Sequence, residues 1–305
     1  MIPMSRPYAG PADLQAMIRL TGRQRAAGQR VYPIATDLYE ELDDPETQST
    51  ARLWEDGGEL VGFAYVSRWQ NLVDAFDEAF FTPEVQAELM DEMAAAVRRR
   101  IRAKGENLTL DASAMADDLP RLAMLERFGF ARQEESSLLY ARSLKGDLPP
   151  TVLPPGFSIR PLGGAAELEA YVALHRAAFG TENMTIEYRQ SIMSTPGYIP
   201  ELDLVAAAPE GTLAAFCVCQ IFTDDAPRAG GKKEGWTDPL GTHPAWRRLG
   251  LARALILTGM GLLRDRGLDT ALLGTSSSNT AMQRLAEGLG FRVAATTLWY
   301  SRTVA

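Results

Sequence analysis

Apolar and polar positions change their spacing along the chain in an order that occurs twice. Residues 59–66 (Glu-Leu-Val-Gly-Phe-Ala-Tyr-Val) and 212–219 (Thr-Leu-Ala-Ala-Phe-Cys-Val-Cys) are short runs rich in β-branched and aromatic residues, bounded by turn signals, and are predicted as strands. Each leads through a turn and a further short strand to a proline, Pro83 or Pro244. Helices are expected next, over 84–102 and 248–266. In the second of these, Leu251, Leu255, Leu262 and Ala252, Ile256, Leu263 recur at helical spacing and give it an apolar face. Strands follow at 108–110 and 270–273, then a helix over 281–289, then a last strand carrying Tyr140 or Tyr300. Each half therefore reads as strands, helix, strand, helix, strand, which predicts a mixed-sheet α/β (α+β) fold.

The halves also match residue by residue. Ser5-Arg6-Pro7 answers Ile159-Arg160-Pro161, Phe128-Gly129-Phe130 answers Leu289-Gly290-Phe291, and Leu139-Tyr140-Ala141-Arg142 answers Trp299-Tyr300-Ser301-Arg302. Gly129/Gly290 and Pro83/Pro244 are both 161 apart, Tyr140/Tyr300 are 160 apart, and Arg6/Arg160 are 154 apart. Matches in order at a nearly constant offset imply a duplicated domain. Residues 145–156 hold four prolines and two glycines, and proline fixes φ while removing a donor, so this stretch is predicted as an extended linker. The expected division is a first domain over 1–144, the linker over 145–156 and a second domain over 157–305.

Composition narrows the classes. The 305 residues are 46% hydrophobic and 23% charged, which excludes a mainly disordered chain. No apolar run approaches the ~20 residues a membrane helix needs, and the start of the chain has no basic-then-apolar signal. Two cysteines exclude a disulfide scaffold. With only two histidines, His175 and His243, a zinc site is not expected. A reducing, cytoplasmic location is the default. The net charge of −8 lies wholly before Lys145, where 16 basic residues face 24 acidic ones; the remainder has 15 of each. Neither part has the basic excess of a nucleic-acid surface. No nucleic-acid and no membrane partner is expected, and the protein is expected to be a monomer or homodimer.

One segment concentrates chemistry. A strand ends near Thr242 and a helix begins near Arg248, with Gly250 and Ala252 small and Arg247, Arg248 and Arg253 basic. Free N–H groups and the positive dipole end at a helix start attract anions, and small side chains let an anion approach the backbone. The arrangement suits a pyrophosphate. It is neither the Gly-x-Gly-x-x-Gly dinucleotide fingerprint nor a Gly-Lys-Ser/Thr phosphate loop.

Arg247-Arg248-Leu249-Gly250-Leu251-Ala252 resembles the Arg/Gln-x-x-Gly-x-Gly/Ala signature of the GNAT superfamily of N-acetyltransferases. Asn279-Thr280-Ala281-Met282-Gln283-Arg284-Leu285-Ala286-Glu287-Gly288-Leu289-Gly290-Phe291 resembles its Asn-x-x-Ala-x-x-Leu-Tyr-x-x-x-Gly-Phe segment. The resemblance spans about 160–300. It implies that backbone N–H groups from Arg248 to Arg253, through Leu249, Gly250, Leu251 and Ala252, hold the pyrophosphate of acetyl-CoA, with Arg247 beside them. It also implies that strand residues Leu240, Gly241 and Thr242 and the side chain of Asn279 hold the pantetheine arm, where the strands of this fold splay. In the first half the aligned residues are Gln86, Leu89, Asp91 and Asp118 in place of Arg247, Gly250, Ala252 and Asn279. Bulk and carboxylates there oppose an anion, so that half is expected to keep the fold without the cofactor. One degenerate and one working half is an arrangement that resembles tandem enzymes of this superfamily, mycothiol synthases among them.

Acetyl transfer from this co-substrate to a primary amine needs a base, oxyanion stabilisation and a proton for the leaving thiolate. Glu234 and Asp238 are the base candidates, on one face of the strand by their even spacing; the alternative for Glu234 is a solvated loop over 230–235. His243 has the intrinsic pKa range of a base, but beside Pro244 at the helix entrance it reads first as structural. The family often has tyrosine four residues before the glycine of Gly-Phe, and here that position is Ala286. Tyr300 is the substitute acid to test, its alternative being core packing like Tyr140. The missing tyrosine also motivates a rival reading, a non-catalytic acyl-CoA-binding or sensing module. His175, Tyr188, Tyr198 and Trp236 are candidates to line an acceptor pocket, their alternative being ordinary packing, with a helix-surface place also open to His175. Cys217 and Cys219 read as buried small hydrophobes on one strand face. The resemblance implies an amine acceptor, with a small-molecule amine the expected partner, and its identity stays open among metabolite, antibiotic, peptide N-terminus and protein lysine.

Overall fold

In the computed structural model the first half runs β1 (Met4–Pro7), α1 (Pro11–Ala26), α2 (Ala35–Glu41), α3 (Pro45–Gln48), β2 (Arg52–Asp56), β3 (Glu59–Val66), β4 (Leu72–Phe76), α4 (Pro83–Lys104), β5 (Thr109–Met115), α5 (Leu119–Arg127) and β6 (Ala131–Ser143). The second half repeats the plan as β7 (Ser158–Pro161), α6 (Leu168–Phe179), α7 (Ile186–Met193), β8 (Asp203–Ala207), β9 (Leu213–Ile221), β10 (Glu234–Thr242), α8 (Leu251–Asp265), β11 (Thr270–Ser276), α9 (Thr280–Gly288) and β12 (Arg292–Thr303). The structure describes residues 3–27, 29, 32–105, 107–221 and 233–304. Residues 230–232, part of the loop considered for Glu234, lie outside them.

Local chemistry sets the helix ends, and it repeats too. Asp118 accepts a hydrogen bond from Arg121 N at 3.1 Å to start α5, and Asn279 accepts one from Met282 N at 3.1 Å to start α9. At α4, Thr82 caps the helix and Pro83 occupies its first turn, while Gly105, with φ 69°, ends it. The helix expected from Arg248 starts later, at Leu251. Arg248 and Gly250 have φ 67° and 83°, left-handed values that a helix cannot contain.

The strands form a four-stranded sheet, β1-β2-β3-β4, and an eight-stranded one, β5-β12-β6-β11-β10-β9-β8-β7. Here the structure departs from two self-contained repeats, because the halves exchange their last strands. β6 pairs with β11 of the second half, from Thr270↔Ser143 to Ser276↔Ser137. β12 pairs with β5 of the first half, from Thr297↔Met115 to Thr303↔Thr109, and with β6 on its other edge. Side-chain alternation tells which face of a strand is buried and not which neighbour it joins, so the exchange is invisible in the pattern.

Each half buries apolar side chains on both faces of its strands. In the second half, Cys217 and Cys219 of β9 point to α8 with Leu255, Met260 and Leu263, while Phe216 and Val218 point to α6 with Tyr171 and Leu174. The exchange places Tyr140 in the core beneath α8 and α9, and Tyr300 in the first half's core with Val85, Leu89 and Val97 of α4.

Where β4 and β5 begin, the only ladder contact between them among the described residues is one parallel bridge, Asn71↔Asp111, with Asn71 just before β4. Beyond it the strands diverge, and Arg121 of α5 spans the opening. Its guanidinium holds Asp74 of β4 at 2.9 and 2.7 Å, and its Nε donates to Ser113 O of β5 at 2.7 Å. This two-point pair, with Asp74 4% exposed, plugs the first half's splay.

Candidate active site

The second half has the same splay without the plug. β10 and β11 run parallel from Glu234↔Thr270 to Trp236↔Leu272, and pairing then stops. Leu240, Gly241 and Thr242 keep β9 on one side, opposite Cys217, Phe216 and Ala215, with no strand on their other edge among the described residues. Gly241 is required here, since a Cβ would lie 2.4 Å from the Phe216 ring.

At the far end of this edge the chain turns through Arg248 and Gly250 into α8. Among the described residues none accepts a hydrogen bond from the N–H groups of Arg248 to Arg253; the first bonded amide is that of Ala254, to Gly250 O at 3.0 Å. A Cβ at Gly250 would meet nothing within 4 Å, so the loop opens to solvent. Arg248 and Arg253 flank it, and Arg253 reaches Gly288 O at 3.4 Å. Arg247 instead braces the wall, donating to Thr242 O at 3.4 Å and Ala178 O at 3.1 Å. Free amides, left-handed turns and flanking arginines fit a diphosphate, and the splay fits an extended chain.

Between β9 and β10 the register slips, so that Asp238 and Pro239 together oppose Val218. This bulge comes after Gly235 and Thr237, both buried under α8; Glu234, Trp236 and Asp238 are half-buried, on the expected shared face. Asp238 turns its carboxylate across the splay, where Oδ2 accepts the N–H of Gly274 at 3.3 Å. Oδ1 is buried with no hydrogen-bond partner. Burial pushes this carboxyl up to about 7, against a smaller downward pull from the Gly274 N–H. A Cβ on Gly274 would lie 3.1 Å from Oδ2, so glycine leaves the carboxylate its place.

On the α6–α7 face, a cavity of about 420 Å³ lies against Pro239. The second half gives it His175, Tyr188, Arg189 and Gln220; the first half gives Glu40 of α2 and Trp69. His175 stacks on Phe216 and lies tilted against Phe179, and burial, followed by the charge of Arg189, lowers its pKa to about 4, so it is neutral. Arg189 is fully buried, paired with Asp203 and 4.0 Å from the centre of the Tyr171 ring. Tyr198 donates to the same carboxylate at 2.6 Å.

Glu234 opens β10 beside Thr270 and Trp236 follows it on the same face. Asn279 Oδ1 is occupied in capping α9. His243 accepts from Ala245 N at 3.2 Å and caps the turn at Pro244, a structural role. Tyr300 is 3% exposed in the first half's core, and the structure does not bring it to Asp238. Ala286 is fully buried in the core that contains Tyr140, whose hydroxyl donates to Glu287 at 3.4 Å. Cys217 and Cys219 are buried and free, their sulfurs 3.8 Å apart. Glu40, Trp69 and Arg121 were not among the sequence candidates. Among the described residues no helix is long and apolar enough to cross a membrane, and no group of His, Cys, Asp or Glu is placed to hold a metal.

Comparison with known proteins decides the family. The profile of the GNAT acetyltransferase family matches residues 168–291. A mycothiol acetyltransferase from Thermobispora bispora is 31% identical over 288 residues, covering 92% of this chain and 93% of that one. The chain belongs to the GNAT family of acetyltransferases. A second mycothiol acetyltransferase, from Acidothermus cellulolyticus, is 29% identical over 82% of this chain and 79% of its own. A tandem GNAT protein from the clavulanic acid biosynthesis pathway superimposes with a TM-score of 0.72 at 15% identity, covering 100% of this chain and 98% of that one. A GCN5-related N-acetyltransferase from Sphaerobacter thermophilus gives 0.72 at 22% identity, over 100% and 97%. This GNAT protein is thus an acyltransferase with the tandem fold, and the family profile falls on the half with the open splay.

Proposed function

We propose that this acetyltransferase takes its acetyl group from acetyl-CoA held in the second half, and passes it to the primary amine of a small molecule in the cavity between the halves. The observation that carries the reading is the open splay between β10 and β11, with unbonded amides at one end and Asp238 turned into it. The amides of Arg248 to Arg253 would hold the diphosphate, with Arg248 and Arg253 adding charge and Arg247 fixing the wall. The free edge of Leu240 to Thr242 would align the pantetheine arm. Asn279 would flank that arm while its Oδ1 stays on the helix. When bound, acetyl-CoA supplies an activated thioester. Asp238 is the base: a carboxyl with its pKa near neutrality can accept a proton from an arriving ammonium group and still be ionised beforehand. Glu234 extends negative charge along the same face. Tyr300, in the other half's core, is assigned no chemical role, and neutral His175 serves as a wall of the cavity.

The mycothiol acetyltransferase relatives supply the first acceptor to test, the amine precursor that lacks mycothiol's acetyl group. The test is release of free thiol from acetyl-CoA when that amine, or members of a panel of small primary amines, is added. Amine-dependent release with one acetyl-amine formed per thiol is expected. Saturable acetyl-CoA binding without release for any amine would overturn the reading.

A further inference from the structure

Glu40 is a carboxylate in an otherwise largely aromatic and apolar cavity, and it comes from the half whose splay is plugged. It lines the cavity with Trp69, Tyr188, Phe179 and His175, and it is half-buried. Among the described residues no side chain forms a hydrogen bond or ion pair with it. Two cations, Arg189 and Arg68, act on it electrostatically, and neither forms an ion pair with it among the described residues. Arg189 is paired with Asp203, and Arg68 lies 4.8 Å from the centre of the Tyr188 ring. The other charged groups facing Glu40 are Asp37 and Glu41, which share its sign. Asp37 accepts from Ile34 N at 2.9 Å and Glu41 from Tyr32 Oη at 3.1 Å, so both have donors that Glu40 lacks.

A carboxylate withdrawn from water without a partner is unfavourable, and an incoming cation relieves that cost. Aromatic faces next to it favour a cation further. Trp69 and Phe179 are 45% and 47% exposed, leaving their rings open to a ligand. An anionic or neutral molecule of the same shape gains neither contribution.

We propose that Glu40 is the specificity residue of the acceptor cavity, supplied by the first half to select molecules that arrive as cations. This rests on the cavity being the acceptor site. It gives the first half, which has no open splay of its own, a part in the reaction: the second half holds the acetyl donor and the first half chooses the charge of the acceptor. Glu40 admits the ammonium form, and Asp238, beside Pro239 of the cavity wall, then takes the proton.

The test uses the full chain and a matched pair of probes that cannot be acetylated at nitrogen: choline, and its neutral isostere 3,3-dimethylbutan-1-ol. Binding is followed by the fluorescence of Trp69, with Trp69→Phe to identify its signal, and by saturation-transfer NMR. Choline is expected to bind at least about tenfold more tightly than the alcohol. That ratio should fall to near one in Glu40→Gln and stay unchanged in Asp43→Asn, whose carboxylate accepts from Ser191 at 2.7 Å. Equal binding of the two probes, no binding of choline at saturating concentration, or an undiminished preference in Glu40→Gln would each overturn the proposal. Acetyl-CoA titration of Glu40→Gln checks that the fold is intact. If acetyl-CoA fails to bind wild-type protein while the choline preference holds, the transfer reading fails and the charge selection stands.

Discussion

Replacing Asp238 by asparagine should make the protein more stable and less active, and both effects follow from one buried carboxyl. Burial lifts its pKa from the ordinary 3.8 to about 7. A raised carboxyl pKa means the folded protein binds the proton more tightly than the unfolded chain. Stability is therefore undiminished by this group below pH 3.8, falls as pH rises towards 7, and is flat above. At ~1.36 kcal/mol per pKa unit the cost at pH 8 has a ceiling of about 4 kcal/mol. Water reaching the half-buried residue lowers the expected gain in Asp238→Asn to ~1–2 kcal/mol. Asparagine keeps an oxygen for the Gly274 N–H and cannot ionise. Urea unfolding of both proteins at pH 4 and pH 8 reads the gain, which should appear at pH 8 and shrink towards zero at pH 4. The same variant should lose ~10²–10⁴-fold in kcat/KM for the amine. Wild-type kcat/KM should rise with unit slope through about pH 7, and the variant should lack that limb. Equal stability at pH 8 would show that burial does not raise the Asp238 carboxyl, and an unchanged limb in the variant would show that Asp238 is not the base.

Removing the plug of the first half should be costly. Arg121→Ala leaves Asp74 buried without its partner and should lower unfolding free energy by ~3–5 kcal/mol, while the double variant with Asp74→Ala should lose less; chemical denaturation measures both, and equal losses would contradict the pairing. Gly274→Ser places a side chain against Asp238, and should lower amine turnover at least about tenfold with little change in the cooperativity of thermal unfolding. Full activity in that variant would mean the splay at Gly274 is not where transfer occurs.

Much of this was legible in the sequence. The even spacing of Glu234 and Asp238 gave their shared face. The alignment of Asn279 with Asp118 predicted equivalent positions, and both proved to be helix caps, a role that any N-cap residue with a side-chain acceptor fills. Gly250 read only as a small residue at the start of a helix expected from Arg248; the helix starts later because Arg248 itself has a left-handed backbone, rare for a residue with a side chain. What stayed hidden depended on long-range pairing. A strand such as β6 carries no record of its neighbour, so Tyr300 looked available to the second half, when the exchange gives that half Tyr140 instead. Arg121 and Glu40 were ordinary charges until the fold set one across a splay and the other in a cavity. The bulge at Asp238 is likewise set by pairing with β9, and it is what turns a strand residue into the opening.

The central claim is that one half, and only one, holds acetyl-CoA. Calorimetric titration of the purified protein and of Gly250→Glu tests it directly. A glutamate at φ 83° is disfavoured by ~1–2 kcal/mol and sets a negative charge beside the free amides. Wild type should bind one acetyl-CoA per chain, and the variant none. Two sites per chain would mean the Arg121–Asp74 plug does not exclude the co-substrate, and no binding to wild type at millimolar acetyl-CoA would contradict the account.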